Sequence, residues 1–190
     1  MPRYKIERND IIREEETQGM IDSTTALKDK AMISFLYLFG VRPAEMYTLK
    51  RENFSLKETK LCVDIITKKK RLKKGVSPIL IYTRHLWTPL SEPISRYILQ
   101  YLESCDYSVP IFQYGKTDKS ANVIIDRKIK SVNPNCCAYI FRHSRNTVLG
   151  ESGATETQLM AWNGWSDGRP AGRYIHHTAR LIDGIPQGKD

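Results

Sequence analysis

The sequence predicts a mainly α-helical domain that carries one small antiparallel β-sheet, an α+β arrangement. Three observations carry this. From Leu27 to Phe39 apolar residues cover most of a helical circumference, and helical spacing returns from Ser91 onward. Between Phe54 and Tyr82 the period changes to that of a strand, with Leu61, Val63 and Ile65 alternating with Cys62, Asp64 and Ile66. The apolar share, 41% of 190 residues, suffices for a core of ordinary size.

Taken in order, residues 1–18 read as a charged lead-in containing a short helix. Ser23 or Thr24 is the expected cap of a buried helix built on Leu27, Ala31, Ile33, Phe35, Leu36, Leu38 and Phe39. Gly40 ends it, and Pro43 suits the first turn of a short helix, Pro43 to Leu49. Arg42 therefore falls at a helix-to-helix corner, with Glu45 within reach. After Phe54 the alternating run and Ile79-Leu80-Ile81-Tyr82 predict a hairpin or a sheet of about three strands.

The connection between those runs, Lys68-Lys69-Lys70-Arg71-Leu72-Lys73-Lys74-Gly75, is the densest charge run in the chain. Ser91 to Ser104 reads as a helix with Ile94, Ile98, Tyr101 and Leu102 on one face. Asp106 to Ser120 reads as a loop, followed by a short helix, Ala121 to Val132, that Asn133-Pro134-Asn135 breaks. A helix from Tyr139 to Leu149 carries Arg142, His143 and Arg145. Thr155 and Gln158 form a capping box for a helix ending before Gly164. Asp167 to Pro170 is an expected turn, and Tyr174 is expected near the start of a last helix reaching Ile182.

A net charge of +9 is a statement about partners, and polyanions come first among them. A charge run is most often a solvated loop, yet on a hairpin of a basic protein phosphate contact is equally expected. The cysteines Cys62, Cys105, Cys136 and Cys137 form no CxxC pair, so neither a zinc site nor a disulfide framework is expected. No metal and no cofactor is expected. No apolar run approaches the length of a membrane span, so the expected setting is cytoplasmic, nucleoid-associated or virus-encoded, with no membrane partner.

The residues that carry chemistry lie mostly between Ala138 and His177. Arginine suits a phosphate because its planar fork binds two oxygens and stays charged. Tyrosine offers a phenol, weakly nucleophilic until nearby positive charge favours the phenolate. Singly, each has a plainer meaning. A corner arginine is usually an ion-pair partner, and a tryptophan after glycine is usually core. Their order and spacing give the signal: FGVRPAEM with Arg42, YIFRHS with Arg142 and His143, GWS with Trp165, and RYIH with Tyr174.

That series resembles the catalytic domain of the tyrosine recombinase, or phage integrase, family. The resemblance implies that Arg42 and Arg142 are catalytic arginines, that Glu45 is the acidic companion of Arg42, and that Tyr174 is the nucleophile. It gives Trp165 the position usually held by histidine or tryptophan, nine residues before the nucleophile. The second box usually opens with histidine, but here Tyr139 stands there, with His143 beside Arg142. This R…YxxR…Y variant implies an archaeal or archaeal-virus type of integrase.

The activity implied is DNA cleavage and rejoining through a 3′-phosphotyrosyl link, with a lysine of the hairpin as general acid. Counting forward along the strand gives Lys68, and counting back from Pro78 gives Lys70; Lys68 is the choice. Lys69, Lys70, Arg71, Lys73, Lys74, Arg145 and Arg173 are the expected DNA contacts. The expected partners are double-stranded DNA and, in a synaptic assembly, other protomers, the chain being largely monomeric off DNA. Residues 1–190 read as one catalytic domain, with 175–190 a C-terminal helix and tail and no N-terminal core-binding domain. Type IB topoisomerase-like relaxation and a catalytically impaired DNA-binding module are the competing functions.

Overall fold

A computed structural model describes residues 11–68 and 81–175. Among these, helices α1 (Glu14–Asp22), α2 (Leu27–Phe39) and α3 (Pro43–Met46) precede strands β1 (Phe54–Lys57), β2 (Lys60–Lys68) and β3 (Ile81–Pro89). Helices α4 (Ser95–Glu103), α5 (Asp118–Val132), α6 (Ala138–Glu151), α7 (Glu156–Asn163) and α8 (Arg169–Ile175) follow. The sheet is antiparallel in the order β1-β2-β3, and the fold is mainly helical, as its sequence pattern predicts.

Helix α2 is the centre of the core. Met32, Ile33, Phe35, Leu36, Leu38 and Phe39 are all fully buried, and α1, α4 and α6 pack around them. Phe35 meets the rings of Phe39, Phe54 and Phe112 at 4.9, 5.7 and 5.2 Å, which ties helix, sheet and the following loop into one cluster. Gly40 closes α2 in the left-handed region at φ 59° and returns its N–H to the Leu36 carbonyl. A Cβ there would lie 2.9 Å from Cβ of Arg145, so the glycine also admits α6.

Several boundaries differ from the sequence reading, each for a local reason; α5, for one, starts at Asp118 inside the expected loop because Thr117 and Ser120 form a capping box. Ser23 and Thr24 do not cap α2; their hydroxyls bond the Gly19 and Met20 carbonyls at the end of α1, and Ala26 opens α2. Helix α3 stops at Met46; beyond it the chain pairs with the loop after α4, the Leu49 carbonyl accepting from the Ile111 N–H beside a bridge from Lys50 to Pro110. Helix α4 starts at Ser95 rather than Ser91, since Pro93 disfavours helical geometry at Glu92. Helix α8 starts at Arg169, so Pro170 lies inside it and Tyr174 falls in its last described turn.

Strand β3 runs well past Tyr82. Arg84, Leu86 and Thr88 point inward against β2, while Thr83, His85 and Trp87 face out. A polar residue on the inward face breaks the apolar signal, which is why this half of the strand was not expected. Ile79 and Leu80 lie outside the described residues.

Candidate active site

The corner between α2 and α3 is built by Glu45. Its carboxylate accepts the backbone N–H of Arg42 at 2.9 Å, the reciprocal half of a capping box, and pairs with Nη1 of Arg42 at 3.1 Å. The carboxylate is buried while the Arg42 side chain remains 48% exposed. Arg42 thus reaches a cleft of about 760 Å³ that Glu45, Thr67, Asp118, Trp165 and Pro170 also line.

Sequence reasoning missed Arg84. Its guanidinium is buried behind the corner and holds three elements together. Nη2 meets Oε1 of Glu45 at 2.9 Å, Nε donates to Oγ1 of Thr67 at 2.7 Å, and Nη1 donates to the carbonyl of Trp162. An arginine at an inward position of a strand, flanked by Leu86, was the available signal.

Arg142 comes from the first half of α6 and is buried. Its Nη1 donates to the Gly40 carbonyl at 2.8 Å and its Nη2 to the Asn163 carbonyl at 3.2 Å. Both partners are helix-terminal carbonyls, left without intrahelical donors by the ends of α2 and α7. Burial, with Arg42 and Arg84 nearby, lowers this guanidinium to about 10, Glu45 opposing the shift, so it stays charged at neutral pH. Its Cζ lies 5.9 Å from the Trp165 ring.

Trp165 follows Gly164, whose left-handed backbone (φ 67°) ends α7 and turns the indole back toward α8. There it stacks on Tyr174 with centroids 6.0 Å apart and planes 12° from parallel. Tyr174 is only 8% exposed and belongs to a small satellite core with Leu159 and Ala171. Its hydroxyl lies 3.4 Å from Nδ1 of His143. Burial, then the neighbouring Tyr139, raises its phenol above the ordinary value, while Asn146, Arg142 and Arg173 pull it down.

Arg42, Glu45, Arg142, His143, Trp165 and Tyr174 therefore come together, although they span most of the chain. Tyr174 and Arg142 sit behind the cleft wall rather than on it. Tyr139 lies in the first turn of α6 and is 60% exposed. Arg173 is exposed on α8. Arg145, expected among the DNA contacts, is half-buried with its Cζ 5.3 Å from the Trp162 ring, and burial lowers its pKa. The backbone of Lys68 ends β2, paired with Ile81. The side chain of Lys68 lies outside the described residues, as do Lys69, Lys70, Arg71, Lys73 and Lys74.

The arrangement offers positive charge beside a cleft and a phenol stacked just behind it. Among the described residues no cluster of three or more metal-ligating side chains forms, and no described helix is long and apolar enough to cross a membrane.

Comparison with known proteins bears on the fold and on the family. No curated protein matches the chain. Among solved structures, the XerH site-specific recombinase bound to difH substrate matches with TM-score 0.63 and 16% identity, over 94% of this chain and 55% of that one. The Tn1549 transposon integrase in complex with a circular intermediate DNA matches with TM-score 0.65 and 13% identity, over 97% of this chain and 68% of that one. The integrase from mycobacterium phage Brujita matches with TM-score 0.57 and 18% identity, over 100% of this chain and 63% of that one. The chain thus spans between half and about two-thirds of the length of these proteins. At these identities they speak for the fold. Residues 7–180 match the model of the phage integrase family, so the chain belongs to that family, the tyrosine recombinases.

Proposed function

We propose that this chain is the catalytic domain of a site-specific DNA recombinase that cleaves and rejoins duplex DNA through Tyr174. The observation that carries the reading is the stack of Tyr174 on Trp165, beside Arg142 and behind a cleft that Arg42 enters. In the proposed reaction Arg42 and Arg142 hold the non-bridging oxygens of the scissile phosphate. The phenolate oxygen of Tyr174 attacks phosphorus, and the bond from phosphorus to the 5′ oxygen breaks. Lys68 protonates that oxygen, leaving a 3′-phosphotyrosyl link and a free 5′-hydroxyl. Rejoining reverses the exchange. One phosphoester replaces another, so the step as written needs neither ATP nor a metal ion.

Trp165 contributes its indole N–H, and His143 or Tyr139 a further hydrogen bond. Donors aimed at the developing phosphorane are commonly worth about 3–4 kcal/mol each. The basic run from Lys68 to Lys74 and the exposed Arg173 supply phosphate contacts along the duplex. The XerH and Tn1549 proteins are DNA-bound in their structures, which supports double-stranded DNA as the partner. In this reading further protomers join in a synaptic assembly. Tyr139, where the family usually has histidine, supports an archaeal or archaeal-virus type.

One observation favours a second reading: the burial of Tyr174 fits a DNA-binding module that has lost catalysis. Nicked suicide duplexes, selected from a randomised pool for binding, decide between the two. The wild-type chain should give a covalent adduct on denaturing gels, and Tyr174→Phe should bind equally and give none. An adduct that persists in Tyr174→Phe sinks the assignment of the nucleophile. Binding without any wild-type adduct favours the second reading.

A further inference from the structure

Two buried asparagines connect α6 and α7 behind the phenol. Asn146 is 1% exposed and Asn163 0%. The side-chain amide of Asn163 donates to the Leu159 carbonyl at 3.0 Å and to Oδ1 of Asn146 at 2.6 Å. The Leu159 carbonyl can only accept, so the group facing it must be the NH₂ of Asn163. This fixes the second amide as well: Asn146 turns its oxygen to Asn163 and must direct its own NH₂ elsewhere.

That NH₂ is buried and makes no close hydrogen bond, while the group it acts on is the Tyr174 phenol, which it pulls down. A buried donor without a close acceptor is costly, and such a group calls for an explanation. On α6, Asn146 lies between His143 and Gly150 at helical spacing. His143 faces the Tyr174 hydroxyl, and Gly150 lies so close to α8 that a Cβ on it would be 2.4 Å from the Tyr174 carbonyl oxygen. Asn146 therefore occupies the middle of the face that holds Tyr174.

We infer that Asn146, locked in orientation by Asn163, donates its side-chain N–H to the Tyr174 oxygen as that oxygen becomes negative. A phenolate is a much stronger acceptor than a neutral phenol, so the pair favours the charged form. Asn163 ties this donor to the phosphate side of the site, because its backbone carbonyl accepts from Nη2 of Arg142. The other groups acting on the phenol are Tyr139, Arg142 and His143 from α6 and Arg173 from α8. Of these, Tyr139 opposes ionisation, while Arg142 and Arg173 act in the same direction as Asn146.

The inference rests on the proposed role of Tyr174, yet its test does not need cleavage. Tyrosine labelled at Cζ gives NMR signals that titrate with each phenol, and Tyr174→Phe identifies the one that matters. Asn146→Ala should raise the midpoint of that signal by about one unit, equivalent to a tenfold loss of phenolate at fixed pH. Asn146→Asp keeps an acceptor for Asn163 but replaces the donor with an oxygen, and should raise the midpoint at least as far. Asn163→Ala, which only frees the orientation, should raise it less. An unchanged midpoint in Asn146→Asp, with the fold intact by thermal melting, overturns the inference, and so does an equal shift in all three variants. If Asn146→Ala does not fold, Asn146→Asp alone decides. Adduct formation is scored separately. Shifted midpoints without any wild-type adduct would sink the proposed reaction and leave the donor role standing.

Discussion

Arg84 and Arg42 meet the same oxygen of one carboxylate, at 2.9 and 3.1 Å from Oε1 of Glu45. The two arginines are not equivalent. The side chain of Arg84 is 3% exposed and has further partners in Thr67 and Trp162, whereas Arg42 is half-exposed on the cleft. When a phosphate arrives, Arg42 has somewhere to go and Arg84 does not. In the proposed reaction the carboxylate then keeps one buried counter-charge while Arg42 turns to the phosphate. Removing Arg84 should destabilise the domain by about 3 kcal/mol or more, as expected when a buried pair loses one member. Arg84→Lys keeps the charge but not the fork, and should recover only part of the loss. Chemical denaturation of both variants checks this; a loss below about 1 kcal/mol in Arg84→Ala would mean that Arg42 alone compensates Glu45.

Gly150 sets the distance between α6 and the backbone of Tyr174. Since a Cβ there would lie 2.4 Å from the Tyr174 carbonyl oxygen, Gly150→Ala must push α8 away from α6. Overpacking of this kind typically costs about 1–3 kcal/mol. The larger effect should be on chemistry, because the shift moves Tyr174 relative to Arg142 and His143. Adduct yield should fall by at least about tenfold while DNA binding holds, given how steeply rate depends on position. Wild-type adduct formation in Gly150→Ala would show that Tyr174 leaves this packing before it reacts.

Much of the site was legible because its signals are local. Gly40 and Gly164 end helices, Pro43 starts one, and Glu45 caps it from three residues away; each needs only its neighbours. Thr155 with Gln158 is of the same kind. Arg84, Asn146 and Asn163 were not legible, because what they do depends on partners many residues distant. Arg84 on β3 meets Glu45 on α3, and Asn163 on α7 meets Asn146 on α6. The burial of Tyr174 also escaped. Its role was implied by the family resemblance, but its exposure depends on how α8 folds back onto Trp165 and Leu159.

The pH dependence of cleavage follows from the direction in which Tyr174 is shifted. Burial raises its phenol above the ordinary value of about 10, so the phenol form prevails at neutral pH. If the phenolate attacks, single-turnover cleavage should rise about tenfold per unit between roughly pH 6 and 9. It should not level off within that range, since a raised pKa lies above it. Rapid-quench adduct formation at saturating protein reads this directly. A plateau below about pH 8 would mean that bound phosphate and the arginines bring the phenol down further than they do in the free chain.

The proposed general acid has two candidates, and the strand favours the nearer one. Lys68 is the last residue of β2, its backbone held in register opposite Ile81, and the preceding Thr67 accepts from Nε of the buried Arg84 at 2.7 Å. This anchors the backbone from which the Lys68 side chain departs, and a proton donor must be held within hydrogen-bond reach of the leaving oxygen. Lys70 lies two residues further on, outside the described residues. A 5′-bridging phosphorothiolate separates the candidates, because its sulfur leaves without a proton. On an ordinary phosphodiester, Lys68→Ala should slow cleavage about 10²–10⁴-fold, the usual worth of a positioned acid. On the phosphorothiolate the same variant should cleave at nearly the wild-type rate. Lys70→Ala should be mildly slower on both substrates, as expected for a lost phosphate contact, and should show no selective rescue. Loss and rescue confined to Lys70→Ala would transfer the role to Lys70. It would also mean that the basic run, rather than the end of the strand, delivers the proton.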